Sequence, residues 1–269
     1  MNLREEKFSI KRIGLLLRRD IPRGYGGILV VIGAIIALLL SFDILNFTLF
    51  GEVPRLGHHE STFSTILFIG GFILTASIFK EIHKRESAQS YIMLPASPLE
   101  KTVSRILIST VAWAFGTLLW YTAYSYLSAG ITELIIGTHH YLLNPFQPDI
   151  WWSIAHYFVL QSVFLVGSIY FRKGQLFKTL LSLFVIGVVI SIVVSFAVRI
   201  IFAPYFSGMF VMDKPEMIGS MFNSLPFHFS ERFTLLENFG NVIYWAIIAP
   251  LGWIITYFRF REVQIKDAV

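Results

Sequence analysis

Five histidines, His58, His59, His139, His140 and His156, are the side chains of this 269-residue chain that most invite a chemical reading. Imidazole is a common ligand for metals and haem. Adjacent histidines in a loop do not readily aim both rings at one ion, however, and no acidic residue stands at regular helical spacing from them. They are read as polar residues near one face of a membrane, not as a metal or haem set. The chain has no cysteine, so it has neither a disulfide framework nor a thiolate site. G-x-x-x-x-G-K-[ST], H-E-x-x-H and G-x-S-x-G are all missing from the sequence. Arg172-Lys173-Gly174 lacks the leading glycine and the following hydroxyl of a phosphate loop. No catalytic residue, cofactor site or metal site is expected, and any energy input must come from another chain.

Two polar stripes lie on otherwise apolar segments. Gly187, Ser191, Ser195 and Arg199 recur every four residues and share one helical face. Small residues at that spacing let helices approach closely, and an arginine within a span marks a candidate translocation or dimer face. Arg199 stands within about one turn of the segment's end, where its head can also snorkel to water. Ser153, Tyr157 and Gln161 form the second stripe, which reads equally as helix packing.

The elements that carry these residues are six long apolar segments: Tyr25 to Phe50, Phe63 to Phe79, Ile106 to Leu127, Ile150 to Phe171, Leu180 to Phe202 and Val242 to Phe258. Each is near the roughly 20 residues that a helix needs to cross about 30 Å of hydrocarbon. Hydrophobic residues make up 55% of the chain and charged ones only 14%, which sets it apart from a soluble domain. Eighteen of the 22 Lys and Arg residues fall in the N-terminal arm, in the second and fourth connections and in the C-terminal tail. Basic residues collect in cytoplasmic loops, so both termini are expected in the cytoplasm. The net charge of +5 then records a rim against anionic lipid, not nucleic-acid binding. The first apolar run is expected to be a retained span and not a signal peptide.

The predicted fold is therefore all-α, a single transmembrane domain over 1–269 with an N-terminal interfacial helix in 1–24. In that arm Leu3, Ile10, Ile13, Leu16, Leu17 and Ile21 share one sector and the basic residues most of the other. The connection 80–105 is a cytoplasmic elbow. Ser97, Pro98 and Glu100 form a capping signature that starts a helix about eight residues ahead of the third span. Pro95 restricts Leu94 and closes off any helix running on from the second span. Tyr91, Ile92, Met93 and Leu94 form an apolar tip, which suits either a docking surface or the headgroup layer. The outer connection 203–241 is long and apolar enough to hold short re-entrant helices.

The stretch Glu86 to Ile106, ESAQSYIMLPASPLEKTVSRI, resembles the segment after the second span of type-2 ATP-binding-cassette (ABC) exporter permeases. The matching positions are Glu86, Ser87, Met93, Leu94, Pro95, Ser97 and Lys101, and LPAS-x-LEK looks like permeases of this class from Bacteroidetes-type bacteria. The family's Glu-x-Gly-Thr start is here Glu86-Ser87-Ala88. The resemblance implies a permease subunit that pairs with itself or with a sister permease and binds two copies of a separate ATPase, which would hold the ATP and Mg. The elbow would couple to that ATPase through Glu86, Tyr91, Leu94, Pro95, Ser97, Glu100 and Lys101, and alternating access would follow. Two other readings stay open: a membrane-embedded enzyme using the outer histidines, and a non-transporting sensor or assembly factor.

Overall fold

The computed structural model describes residues 9–20, 35–42, 45, 49, 58–83, 91, 93–136, 142–201 and 238–266. Most of the expected first span, Tyr25 to Phe50, and nearly all of the outer connection 203–241 lie outside the described residues. So do Glu86, Ile92, His139 and His140.

Helix α1 is Ile10–Asp20, α2 His58–Ser77, α3 the single turn Lys80–His83, α4 Pro98–Leu107 and α5 Trp113–Ile136. They are followed by α6, Pro148–Tyr170, α7, Gln175–Ile201, and α8, Ile248–Lys266. No strand occurs among the described residues. Five helical runs, His58–His83, Pro98–Ile131, Pro148–Tyr170, Gln175–Phe196 and Asn238–Val263, are long and apolar enough to cross a membrane. The architecture is all-α and membrane-compatible, and the runs overlap the last five expected spans.

The helices run past the ends of their apolar segments because local signals, not the edge of the hydrocarbon, stop them. Pro148 stands in the first turn of α6, where its missing N–H costs no helical bond. At the other end Phe171 turns extended, and Gly174 takes φ 64°, a left-handed conformation open to glycine, before α7 begins. Two wide turns interrupt the regular winding. Ile108–Ala112 joins α4 to α5 as a π turn, and Ile243–Ile247 leads into α8 in the same way.

Helix α6 is the hub. It packs against α2, α7 and α8 and against the first π turn. One core gathers Phe63, Leu67, Ala114, Tyr121, Tyr124, Ile150, Ile154 and Tyr157 between α2, α5 and α6. A second, at the end rich in basic residues, gathers Phe79, Ile82, Tyr91, Leu165, Ile169 and Phe260. Gly71 of α2 is required by this packing: a Cβ there would lie 2.4 Å from the Tyr157 ring. Its neighbour Gly70 likewise makes room for the indole of Trp113.

Candidate functional site

Ser97 caps α4 from an extended conformation, φ −67° and ψ 156°. Its Oγ accepts the Glu100 backbone N–H at 3.2 Å, and Glu100 Oε2 accepts the Ser97 N–H at 2.9 Å. This is the reciprocal box that the spacing Ser97-Pro98-Leu99-Glu100 predicts. The same carboxylate does more than the sequence indicates. Its Oε1 accepts the backbone N–H of Ser9, at the start of α1, at 2.7 Å and stands 3.6 Å from the Arg12 Nε. One negative group therefore sits at the positive ends of two helices, where a helix dipole favours it.

Glu100 lies in the first turn of α4, ahead of the segment that begins at Ile106. Burial pushes its pKa up, but the Ser97 and Ser9 backbone N–H groups, the Arg12 guanidinium and the Ser97 hydroxyl outweigh this. The net pKa lies below the ordinary 4.5.

The elbow's aromatic residue is held in a cationic nest. Tyr91 is 2% exposed. Around its ring stand the Arg105 guanidinium at 5.0 Å, the Lys101 Nζ at 5.6 Å and the Arg19 guanidinium at 5.8 Å from the centroid. Cations at that range are attracted to the ring's quadrupole. Arg105 also donates from Nε to the Tyr91 hydroxyl at 3.3 Å and from Nη2 to Glu81 at 2.8 Å. Phe260 of α8 meets the Tyr91 ring edge-on, 6.2 Å between centroids. His83 reaches the Ser168 carbonyl of α6 at 2.9 Å. The base of the elbow is thus tied to α1, α3, α6 and α8.

Tyr91, Glu100 and Lys101, which the resemblance would place against a partner, have their side chains buried inside this chain. Ser97 is half-buried as a cap, as is Leu94. What the elbow turns outward is Met93, 82% exposed, together with Pro95 and Leu99. An apolar run in a loop does not say which of its members points inward, so the sequence could not divide the set. The contribution of α1 was also missed. The signal available for it was the pairing of Arg12 and Arg19 on the flank of the sector that holds Ile13 and Leu16.

Ile13 and Leu16 are buried, and α1 packs on α4. Part of the apolar sector expected to lie in the headgroups therefore faces protein, while Ile10 points outward. On α6 the stripe Ser153, Tyr157, Gln161 is helix packing. Ser153 Oγ meets Ser64 Oγ of α2 at 2.9 Å, Tyr157 donates to the Ser109 carbonyl at 2.5 Å and Gln161 Nε2 donates to Ser109 Oγ at 2.5 Å.

On α7, Gly187, Ser191 and Ser195 do share a face. They floor a shallow groove of about 540 Å³ ended by Phe184 and Phe196, and Arg199 is exposed beyond it. No side chain lies within 4 Å of where a Gly187 Cβ would stand. Of the histidines, His59 pairs with the buried Tyr121 hydroxyl at 3.2 Å and His156 with the Tyr244 hydroxyl at 2.8 Å. No group of three or more His, Cys, Asp or Glu residues able to hold a metal occurs among the described residues. No protein-family model, no curated protein and no solved structure matches this chain.

Proposed function

We propose that this chain is the membrane-spanning permease subunit of an ATP-binding-cassette exporter, driven by two copies of a separate ATPase. The observation that carries the reading is the build of the elbow, whose base is fixed by charged and aromatic contacts while Met93, Pro95 and Leu99 project from it. A projecting apolar tip on a braced base can take a push from a partner and pass it to the helices behind it. Exposed apolar groups grouped in this way usually have a partner. Arg105, Glu81 and Phe260 would spread that push to α3 and α8, and Glu100 would carry it to α1.

In this reading the tip faces the cytoplasm, and the face of α7 that holds Gly187, Ser191, Ser195 and Arg199 meets a second permease, either a copy of this chain or a sister subunit. Two access states then exchange as the ATPase closes and opens, biased by its differential affinity for them. The test is co-purification of an ATPase with the wild-type chain and with Met93→Asp, Leu94→Asp and Pro95→Asp. The partner is expected to be lost from Met93→Asp and Pro95→Asp at unchanged folding. Retention of the partner by all three variants refutes the coupling role of the elbow.

A further inference from the structure

The helix that rises from the elbow is not one rod. In a regular α-helix the Trp113 N–H would bond to the Ser109 carbonyl, four residues back. Here it is directed to Ile108 O and Thr110 O, so the wide turn Ile108–Ala112 leaves the Ser109 carbonyl without its helical donor. An unpaired carbonyl inside an apolar helix bundle is costly. The Tyr157 hydroxyl of α6 supplies the missing donor, at 2.5 Å. Gln161, one turn further along α6, holds the Ser109 side chain through Nε2, and Ser109 Oγ in turn donates to the Arg105 carbonyl at 2.9 Å.

On the far side of the wide turn the Trp113 indole donates to the Leu67 carbonyl of α2 at 3.0 Å. The two glycines Gly70 and Gly71 receive the two aromatic rings, Trp113 and Tyr157 respectively. Three helices therefore meet at one irregular turn, and among the described residues the polar tie from α6 to its backbone is the Tyr157 hydroxyl, which can be removed without changing the shape of the ring. Wide turns of this kind are common sites of helix adjustment.

We propose that Ile108–Ala112 is a joint between the elbow stem, α4, and the outer helix α5, and that the Tyr157 hydroxyl is the latch that holds the joint in one setting. With the latch closed, α4 and α5 move with α6. When it opens, the Ser109 carbonyl is free to take its regular helical donor, and α4 turns relative to α5. The inference does not rest on the identity of any partner of the elbow.

The chain has no native cysteine, so paired spin labels can be placed cleanly at Leu99→Cys, on α4, and Leu119→Cys, on α5, both of which are exposed. They lie 20 residues apart, a separation of about 30 Å along a helix. In lipid nanodiscs the unsubstituted joint is expected to give one narrow distance distribution. Tyr157→Phe is expected to raise a second population roughly tenfold, the scale of one lost buried hydrogen bond. Tyr121→Phe, which removes another buried tyrosine hydroxyl, is expected to leave the distribution as it was. A Tyr157→Phe distribution superimposable on the parent overturns the proposal, as does equal broadening in Tyr121→Phe. Gln161→Met, which releases only the grip on Ser109 Oγ, provides the same test should Tyr157→Phe fail to fold. A smaller broadening supports the joint, and none overturns it.

Discussion

Helices α6 and α7 follow each other through a tight turn and are similar in length, yet they sit in opposite surroundings. Eleven of the 23 residues of α6 are buried, including Ser162, Ser168 and the whole of Gln161. From Leu180 to Phe196, α7 is exposed at nearly every position, with Leu181 at 62% and Phe184 at 69%. The more apolar of the two is the one turned outward. In water that arrangement would be unstable, whereas in lipid it is what helix packing requires. Hydrocarbon solvates leucine and phenylalanine as well as a protein core does, so polar and small side chains are the ones that gain by turning inward. The contrast supports membrane embedding more directly than composition does, because it concerns where the apolar residues point.

The largest effect expected from this contrast is a difference between two glycines. Gly71→Leu must displace the Tyr157 ring that lies 2.4 Å from the new Cβ, and should lower stability by about 3 kcal/mol. Gly187→Leu meets no atom of its own chain within 4 Å, and the monomer should stay within about 0.5 kcal/mol of the parent. Denaturant titration of the two variants in the same detergent measures both. Equal losses would mean that α7 is packed as α6 is, and the comparison would fail.

A smaller effect separates the braced end of the molecule from the rest. Glu100→Gln removes the charge from hydrogen bonds to Ser97 and Ser9 and from the Arg12 contact, a change of about 1–3 kcal/mol at pH 7. The sign of the pH dependence follows from the lowered pKa. Ionised Glu100 is favoured in the folded state, so its contribution is complete above its ordinary value of 4.5 and disappears as the pH falls through its lower folded value. Stability curves of the parent and Glu100→Gln should therefore be separated at pH 7 and converge in acid, once the pH has passed below the lowered folded value. A gap that persists unchanged into acid would show that the carboxylate charge has no part in joining α1 to α4.

How much of this was legible in the sequence depends on the range of the signal. The capping box at Ser97–Glu100 is local, three residues fix its geometry, and it stands as the spacing predicts. The five described helices long and apolar enough to span were legible because twenty apolar residues leave few alternatives to a helix across a bilayer. Which side of each span is buried was not, because a helix that is apolar all round has no polar face to orient it. The Tyr157 stripe shows the limit well. Its periodicity was visible, but its partner is a carbonyl freed by an irregular turn 48 residues away. No propensity marks such a turn in advance. Glu100 is a similar case, since its second helix is reached over 91 residues of chain.

Gln161→Leu sharpens the comparison on a finer scale. In hydrocarbon a polar side chain that loses its partner finds others within the unfolded but inserted chain, so such hydrogen bonds contribute only about 0.6 kcal/mol on average and at most about 1.7. A loss within that range is expected, read from the same denaturant titration. Leu181→Ala should give the smallest effect of all, under about 0.5 kcal/mol. The Leu181 side chain is 62% exposed on the described surface of α7, and on a lipid-facing helix it meets acyl chains both before and after the helices assemble. Removing it then changes both states alike and leaves their difference untouched. A loss of several kcal/mol would instead place Leu181 in a protein interface. The side of α7 that carries Leu181 would then be a packing surface, and lipid would not be what covers it.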